Sequence, residues 1–197
     1  MIYLDYTANT PADPDVLDAY LAAERRYIAN PNSTHIAGQE ARAEMERVTQ
    51  SIAQHLGVQP AEIIYASGAS EANNLALKGI AHASRHIGKH IISTQLEHSS
   101  VGASLSALQQ QGYEIDLLDI GRDGRVDLDQ LRELMRDDTI LVAVCAVDSE
   151  LGTIQPIREM AKATRRYAEG DFDIRMNDYG RDDELGELAA SFNNMAE

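Results

Sequence analysis

A short turn of small residues has the composition of an anion-binding site. Ser67, Gly68, Ala69 and Ser70 follow an apolar stretch and lead into a predicted helix. Gly68 and Ala69 would let the backbone approach a phosphate closely, and a helix start offers free N–H groups and a favourable dipole. The hydroxyl of Ser70 could donate to a phosphate oxygen, although capping the helix is the commoner role of such a serine. The local sequence therefore allows phosphate binding without requiring it.

The histidines and the single cysteine are further candidates for chemistry. His98 follows a predicted strand, where a histidine by itself is best explained as a partner for the cap of the next helix. Cys145 lies in an apolar strand, where a thiol is usually an inert core atom. No metal site is predicted, because four further histidines have no carboxylates or thiols at spacings that would let them bind a metal together. These histidines are His55, His82, His86 and His90.

Helical and strand patterns alternate along most of the chain, and these elements must position the candidate groups. Helices are predicted over 15–28, 39–56, 70–83, 101–111 and 127–135, and strands over 62–66, 90–93, 113–118 and 139–147. In the second helix, for example, apolar residues recur at helical spacing. Alternation of this kind predicts parallel strands in an α/β sandwich, with ligands at the carboxyl ends of the strands.

The composition argues against several classes of function. The formal net charge of −15 argues against a nucleic-acid partner, because phosphate binding needs a basic face. One cysteine cannot form an internal disulfide, and it fits a reducing compartment. Residues 1–5 lack the pattern of a signal peptide, and the longest apolar run, 140–147, is far shorter than the roughly 20 residues that span a membrane. We therefore expect a cytoplasmic chain with no membrane span.

An ordered series of segments identifies a family. The segments are Tyr3–Thr10, Asn30–His35, Ser67–Glu71, Gly88–Ile92, Glu97-His98 and Asp148–Gly152. In this order they resemble the N-terminal part of the cysteine desulfurases, class V aminotransferases of the fold-type I pyridoxal-phosphate (PLP) enzymes. The resemblance covers residues 1–157. It implies an incomplete three-layer α/β sandwich, and a family reaction that converts L-cysteine to L-alanine and leaves the sulfur as an enzyme persulfide.

The resemblance also implies roles for individual residues. Ala69 and Ser70 would bind the cofactor phosphate through backbone amides and the hydroxyl. His98 would stack its imidazole on the pyridine ring and could carry a proton. Ser149 stands where many members have an asparagine that contacts the phenolic oxygen, so the contact would need a different geometry or a water molecule. The resemblance thus implies a PLP half-site with His98 as its catalytic residue.

Other parts of the family's catalytic machinery are not found in this chain. The Schiff-base lysine, the aspartate for the pyridinium nitrogen and the nucleophilic cysteine lie later in the family's sequences. The three lysines here, Lys78, Lys89 and Lys162, do not stand in a Ser-x-His-Lys context. PLP without these partners loses its electron-sink function. We therefore expect no covalent anchor and no activity of this chain alone, while the family implies a homodimer.

The pattern changes after Gln155-Pro156-Ile157. Apolar residues from Ile157 to Tyr167 recur at helical spacing, Gly170 ends that pattern, and a heptad resumes at Leu185. This stretch resembles a HAMP domain, the parallel four-helix module of signalling receptors. The resemblance rests on Pro156, Glu159, Gly170-Asp171, Asp183–Gly186 and Phe192–Met195. It implies a parallel dimer, because one pair of helices would leave its apolar faces exposed.

The sequence therefore predicts two parts, a cysteine desulfurase-like PLP-binding fragment over residues 1–155 and a two-helix HAMP-like segment over residues 156–197. Three interpretations of function stay open. The chain could be a truncated desulfurase-like fragment that is inactive alone. It could instead be a non-enzymatic signalling or dimerisation module in which the α/β part is a scaffold. It could also be one half of a split enzyme that a second chain completes.

Overall fold

A computed structural model of the chain describes residues 2–6 and 8–164, apart from the side chain of Ala163. These residues belong to two compact units, one over residues 2–64 and the other over residues 65–164. No helix in this part of the chain is both long and apolar enough to cross a membrane. The predicted HAMP connector and second HAMP helix lie outside the described residues.

The first unit is helical. Its elements are α1 (Pro14–Arg26), α2 (Ile36–Leu56) and a short 3-10 helix (Pro60–Glu62). Asp13 caps α1, because its carboxylate accepts a hydrogen bond from the N–H of Asp15 at 2.8 Å. His35 caps α2 in the same way, through Nδ1 and the N–H of Gly38 at 3.2 Å. Gly38 also allows a close backbone approach, since a Cβ atom there would lie 2.6 Å from the carbonyl oxygen of Ser33.

The second unit is an α/β sandwich around a parallel sheet. Its strands are β1 (His90–Thr94), β2 (Glu114–Leu118) and β3 (Thr139–Val142), in the order β2-β1-β3. Its helices are α3 (Ala69–Ala83), α4 (Ser99–Gln110), α5 (Leu128–Leu134) and α6 (Ile157–Thr164). His90 pairs with Glu114 on one side and with Thr139 on the other. The central strand, β1, is buried along its whole length.

Two apolar cores lie on opposite faces of β1, because successive side chains of a strand point to opposite faces. One core contains Ile91 with Ala81, Leu105, Leu108 and Tyr113, on the side of α3 and α4. The other contains Ile92 with Leu118, Val126, Leu131, Met135 and Met160, on the side of α5 and α6. Helices therefore cover both faces of the sheet, which confirms the predicted three-layer α/β architecture.

At the amino ends of the strands, Gly88 lets two backbone segments meet. The N–H of His90 donates to the carbonyl oxygen of Asp138 at 3.2 Å. A Cβ atom on Gly88 would lie only 2.1 Å from that oxygen. The buried His90 side chain places Nδ1 2.7 Å from Oγ1 of Thr139 and Nε2 3.0 Å from Oδ2 of Asp116. The side chain of His90 thus connects all three strands by hydrogen bonds. The sequence assigned no function to His90, and the structure gives it a structural role.

Two of the predicted strands differ from the structure. Residues 62–66 do not form a strand, and Ile64 and Tyr65 are 77% and 58% exposed. Their β-branched and aromatic residues are typical of a strand, but no strand in the described part of the chain pairs with them. The strand predicted over 139–147 ends at Val142, although the N–H of Ala143 still donates to the carbonyl oxygen of Ile92 at 2.9 Å.

Helix α6 begins directly after Pro156, and proline suits a helix start because its fixed φ and its missing N–H are tolerated there. It packs against α5, and Met160 is only 4% exposed within the same core as Ile92. The division predicted between residues 155 and 156 therefore precedes a helix whose apolar side is buried in the α/β unit. The division itself stays a prediction.

Candidate cofactor site

Glu97 joins the segments that follow β1 and β3 at the carboxyl edge of the sheet. Its Oε1 accepts from the hydroxyl of Thr94 at 2.9 Å and from the backbone N–H of Cys145 at 2.8 Å. Nearby, the hydroxyl of Ser93 donates to the carbonyl oxygen of Ala143 at 2.8 Å. This is the edge at which open α/β sheets bind ligands. The sequence pattern gave no sign of the Glu97–Cys145 contact, because the two residues are 48 positions apart.

His98 is the N-cap residue of α4. Its Nδ1 accepts from the backbone N–H of Ser100 at 3.2 Å and lies 2.8 Å from the hydroxyl oxygen of the same residue. The capping role that the local sequence favours is therefore confirmed. The imidazole is nevertheless exposed, so the ring remains accessible to a ligand at the carboxyl edge.

The start of α3 is open. Gly68 is the N-cap residue, so Ser70 lies inside the helix and is not the cap. The first helical bond runs from the N–H of Ala72 to the carbonyl oxygen of Gly68 at 3.1 Å, which leaves the N–H groups of Ala69, Ser70 and Glu71 without partners inside the helix. Apart from Gly68 and its two chain neighbours, no described residue has an atom within 4 Å of where a Cβ of Gly68 would stand. The turn thus combines open space beside Gly68 with three N–H donors that the helix itself does not use.

Glu71 braces this turn. Its Oε2 accepts from the backbone N–H of Ser67 at 2.6 Å, and this bond lowers the pKa of Glu71 below its ordinary value. A carboxylate in the first turn of a helix also interacts favourably with the helix dipole. Glu71 is the last residue of the motif Ser67–Glu71, but only the structure shows that its carboxylate stabilises this turn.

One hydrogen bond brings the two helix starts together. The side-chain amide of Asn73, in the second turn of α3, donates to the hydroxyl oxygen of Ser100 at 2.9 Å. Ser100 lies in the first turn of α4, next to His98. The open end of α3, with Ala69 and Ser70, and the imidazole of His98 therefore lie at the same edge of the unit. Asn73 and Ser100 had no role in the sequence-based prediction.

Ser149 is exposed and lies in a separate turn, residues 148–152, that follows β3. The buried Asp148 shapes this turn, because its Oδ1 accepts from the backbone N–H groups two and three residues further on, at 3.1 and 2.6 Å. No hydrogen bond within the described residues connects Ser149 to His98 or to Ser70. The cofactor contact of Ser149 therefore stays a prediction.

Cys145 is not the core residue that the sequence suggested. It follows β3 instead of lying within it, and it is half-buried. Its thiol donates to the carbonyl oxygen of Val147 at 2.9 Å, while its backbone N–H is the group held by Glu97. The prediction of core packing came from the apolar residues around Cys145, and it was wrong because the strand ends three residues before it.

Lys78 and Lys89 lie away from the carboxyl edge. Lys78 is in the third turn of α3, about 14 Å along the helix axis from Ala69. It donates to Oδ1 of Asn74 at 2.5 Å. Lys89 precedes β1, at the amino edge, and its ammonium group stands 5.5 Å from the ring centre of Tyr113. The carboxyl edge therefore has groups suited to a phosphate and to an aromatic ring, and neither of these two lysines is placed there for a covalent bond.

Comparison with known proteins identifies the families that the chain resembles. Residues 2–170 match the family model described as Aminotransferase class-V, and residues 151–197 match that of the HAMP domain. The mitochondrial cysteine desulfurase of Arabidopsis thaliana is 42% identical over 167 residues, which are 84% of this chain and 37% of that protein. Cysteine desulfurase IscS of Dictyoglomus turgidum is 40% identical over 166 residues, 84% of this chain and 42% of that protein. The chain thus spans about two fifths of the length of these curated relatives.

Solved structures show the same relationship. A NifS-like protein superposes with a TM-score of 0.80 at 34% identity, over 84% of this chain and 46% of its own. The structure described as SspA in complex with cysteine has a TM-score of 0.76 at 33% identity, over 84% of this chain and 48% of its own. Because its sheet superposes on these proteins and the family model matches most of its length, this chain belongs to the class V aminotransferase family.

Proposed function

We propose that this chain forms the non-covalent half of a PLP site of the cysteine desulfurase type. The observation that carries the proposal is the Asn73–Ser100 hydrogen bond, which sets the open start of α3 beside His98. The N–H groups of Ala69 and Ser70, together with the Ser70 hydroxyl, would bind the cofactor phosphate. The exposed imidazole of His98 would lie against the pyridine ring.

PLP, when bound, supplies an electron sink for bond cleavage in an amino acid. The residues of this chain would bind and orient it. Glu71 would keep the phosphate turn in shape, and Glu97 would hold together the two segments that carry His98 and Ser149. His98 would hold or move a proton at the ring, and Ser149 would donate toward the phenolic oxygen.

The substrate that we propose is L-cysteine, the amino acid named in the SspA structure. We expect no release of sulfur by this chain alone, because Lys78 and Lys89 lie away from the proposed site and Lys162 is exposed on α6. A complete reaction would need a lysine and a nucleophilic cysteine supplied together with this half-site.

Binding of pyridoxine 5'-phosphate tests the proposal. This analogue lacks the aldehyde, so it cannot react with surface lysines. We expect saturable binding by calorimetry, and several-fold weaker binding to Ser70→Ala because a donor to the phosphate is lost. Pyridoxine without the phosphate should bind equally to both. Ser84→Ala, at the other end of the same helix, is the matched control and should bind as the unaltered chain does.

Reaction with PLP itself tests whether any lysine of this chain binds the cofactor covalently. After reduction with borohydride, mass mapping should show no stoichiometric adduct on Lys78, Lys89 or Lys162. One lysine labelled to completion would show that the anchor lies in this chain after all. Absence of saturable binding of pyridoxine 5'-phosphate, or unchanged binding to Ser70→Ala, would remove the half-site from consideration.

A second candidate function is favoured by the match of residues 151–197 to the HAMP domain. In this alternative the tail drives parallel self-association and the α/β part is a scaffold. Leu188 and Phe192 belong to the predicted heptad and lie outside the described residues. Burial of an unpaired carboxylate costs several kcal/mol. We therefore expect the chain to be dimeric and its Leu188→Glu/Phe192→Glu variant to be monomeric in sedimentation equilibrium.

The matched control for this experiment places the same charges elsewhere in the tail. Ala190→Glu with Ser191→Glu adds two carboxylates outside the predicted apolar positions of the heptad, so the dimer should persist. If the Leu188→Glu/Phe192→Glu variant also stays dimeric, association resides in the α/β part, as the family implies, and the tail is not the dimerisation module.

A further inference from the structure

Ser100 approaches His98 with two groups at once. Its backbone N–H donates to Nδ1 at 3.2 Å, and its hydroxyl oxygen lies 2.8 Å from the same nitrogen. A backbone N–H can only donate, so Nδ1 must be an acceptor and can carry no hydrogen. The neutral imidazole of His98 then has its hydrogen on Nε2, because one of its two ring nitrogens is always protonated.

Asn73 directs the hydroxyl of Ser100 toward the ring. The side-chain amide of Asn73 donates to that hydroxyl oxygen at 2.9 Å. The hydroxyl therefore accepts from Asn73 and has its own hydrogen to give, and Nδ1 is the acceptor in range. Ser100 is buried, and its carbonyl oxygen accepts from the hydroxyl of the buried Ser104 at 2.8 Å, which fixes its position.

We propose that Asn73 and Ser100 are positioning residues that hold His98 in its Nε2–H tautomer. Neutral His98 in this form presents a hydrogen-bond donor, and no acceptor, at the nitrogen that is free of the helix cap. His98 can therefore donate to a lone pair on a bound molecule, but Nε2 cannot act as a base until the tautomer changes. The identity of that molecule as PLP or its substrate rests on the proposed function, whereas the tautomer does not.

The proposal predicts a specific response to an isosteric change at residue 73. In Asn73→Asp the amide donor becomes a carboxylate that only accepts, so the Ser100 hydroxyl should turn its hydrogen toward residue 73. Its lone pair would then face Nδ1 and favour a hydrogen there. In Ser100→Ala the hydroxyl is lost and only the backbone N–H still holds the tautomer.

Nitrogen NMR of the ligand-free chain with ¹⁵N-labelled histidine measures these states. The His98 signals are assigned by their loss in His98→Asn, which retains a residue well suited to an N-cap. In the neutral ring, observed at about pH 8, we expect Nδ1 to be unprotonated and Nε2 protonated. The Nδ1–H population should rise about fivefold in Ser100→Ala, the effect of one lost hydrogen bond, and further in Asn73→Asp.

Two controls separate tautomer selection from a general structural effect. Circular dichroism and the thermal midpoint should change little in Asn73→Asp, and Asn74→Asp, at the next position of α3, should leave the His98 signals unchanged. The proposal is overturned if unaltered His98 populates mainly Nδ1–H, or if neither variant shifts the population. Failure of pyridoxine 5'-phosphate to bind, with the tautomer as expected, would count against the proposed function alone.

Discussion

Replacement of Gly88 by alanine should lower the stability of the α/β unit substantially. The added Cβ atom would stand 2.1 Å from the carbonyl oxygen of Asp138 and 2.6 Å from two further backbone atoms of the same residue. Backbone atoms cannot move aside as a flexible side chain can, so the two segments must separate. The hydrogen bond from His90 to Asp138 would then be lost as well. We expect a loss of about 3–5 kcal/mol, out of the 5–15 kcal/mol typical of a domain.

Chemical denaturation followed by circular dichroism measures this effect. The matched control is Gly79→Ala, also a glycine-to-alanine change, at an exposed position of α3 where a Cβ atom would meet nothing within 4 Å. Alanine is the better helix former, so this control should gain up to about 1 kcal/mol. Equal stability of the two variants would mean that the segments around Gly88 and Asp138 do not approach as closely as described.

Replacement of Met160 by alanine should lower the free energy of unfolding of the α/β unit by about 2–5 kcal/mol. Met160 is 4% exposed and packs in the core that contains Ile92, so its truncation leaves a cavity. The control, Glu159→Ala, changes an exposed neighbour on the same helix and should alter stability by less than about 0.5 kcal/mol.

The same denaturation experiment decides whether α6 belongs to the α/β unit. If Met160→Ala costs no more than Glu159→Ala, α6 contributes nothing to that unit. The division predicted at residues 155 and 156 would then also separate two energetic units. If Met160→Ala instead lowers the free energy of unfolding strongly, α6 unfolds with the α/β unit and any boundary between two energetic units lies after α6.

The fold class could be predicted because short-range patterns determine it. The strand pattern of His90–Ser93, followed by a helical segment and then a second strand pattern, indicates a βαβ unit without any knowledge of contacts. The strand order β2-β1-β3 was not predicted, since periodicity carries no information about neighbours in a sheet. Residues 62–66, which were predicted as a strand and do not form one, show that a local pattern can also predict an element that is absent. Composition can favour a strand, but only a partner strand stabilises one.

The candidate site was predictable only in part, for a similar reason. The turn Ser67–Ser70 and the position of His98 were visible as motifs, and the structure sets them at one edge through the bond between Asn73 and Ser100. That bond and the Glu97–Cys145 bond join residues 27 and 48 positions apart, and a single sequence gives no signal for such pairs. Ser149 was identified by analogy, and the structure leaves it in a turn of its own.

Helix α6 lies where two family models overlap, because one ends at residue 170 and the other begins at residue 151. Its apolar side carries Ile157 and Met160, and the α/β core already occupies it. A helix cannot bury the same side against two partners at once. A HAMP-type bundle that includes α6 could therefore form only after α6 has separated from α5. The two assemblies would be mutually exclusive, and mutual exclusion is a thermodynamic coupling in which stabilising one state depletes the other. Ligands that tighten the α/β unit would thereby oppose self-association through this helix.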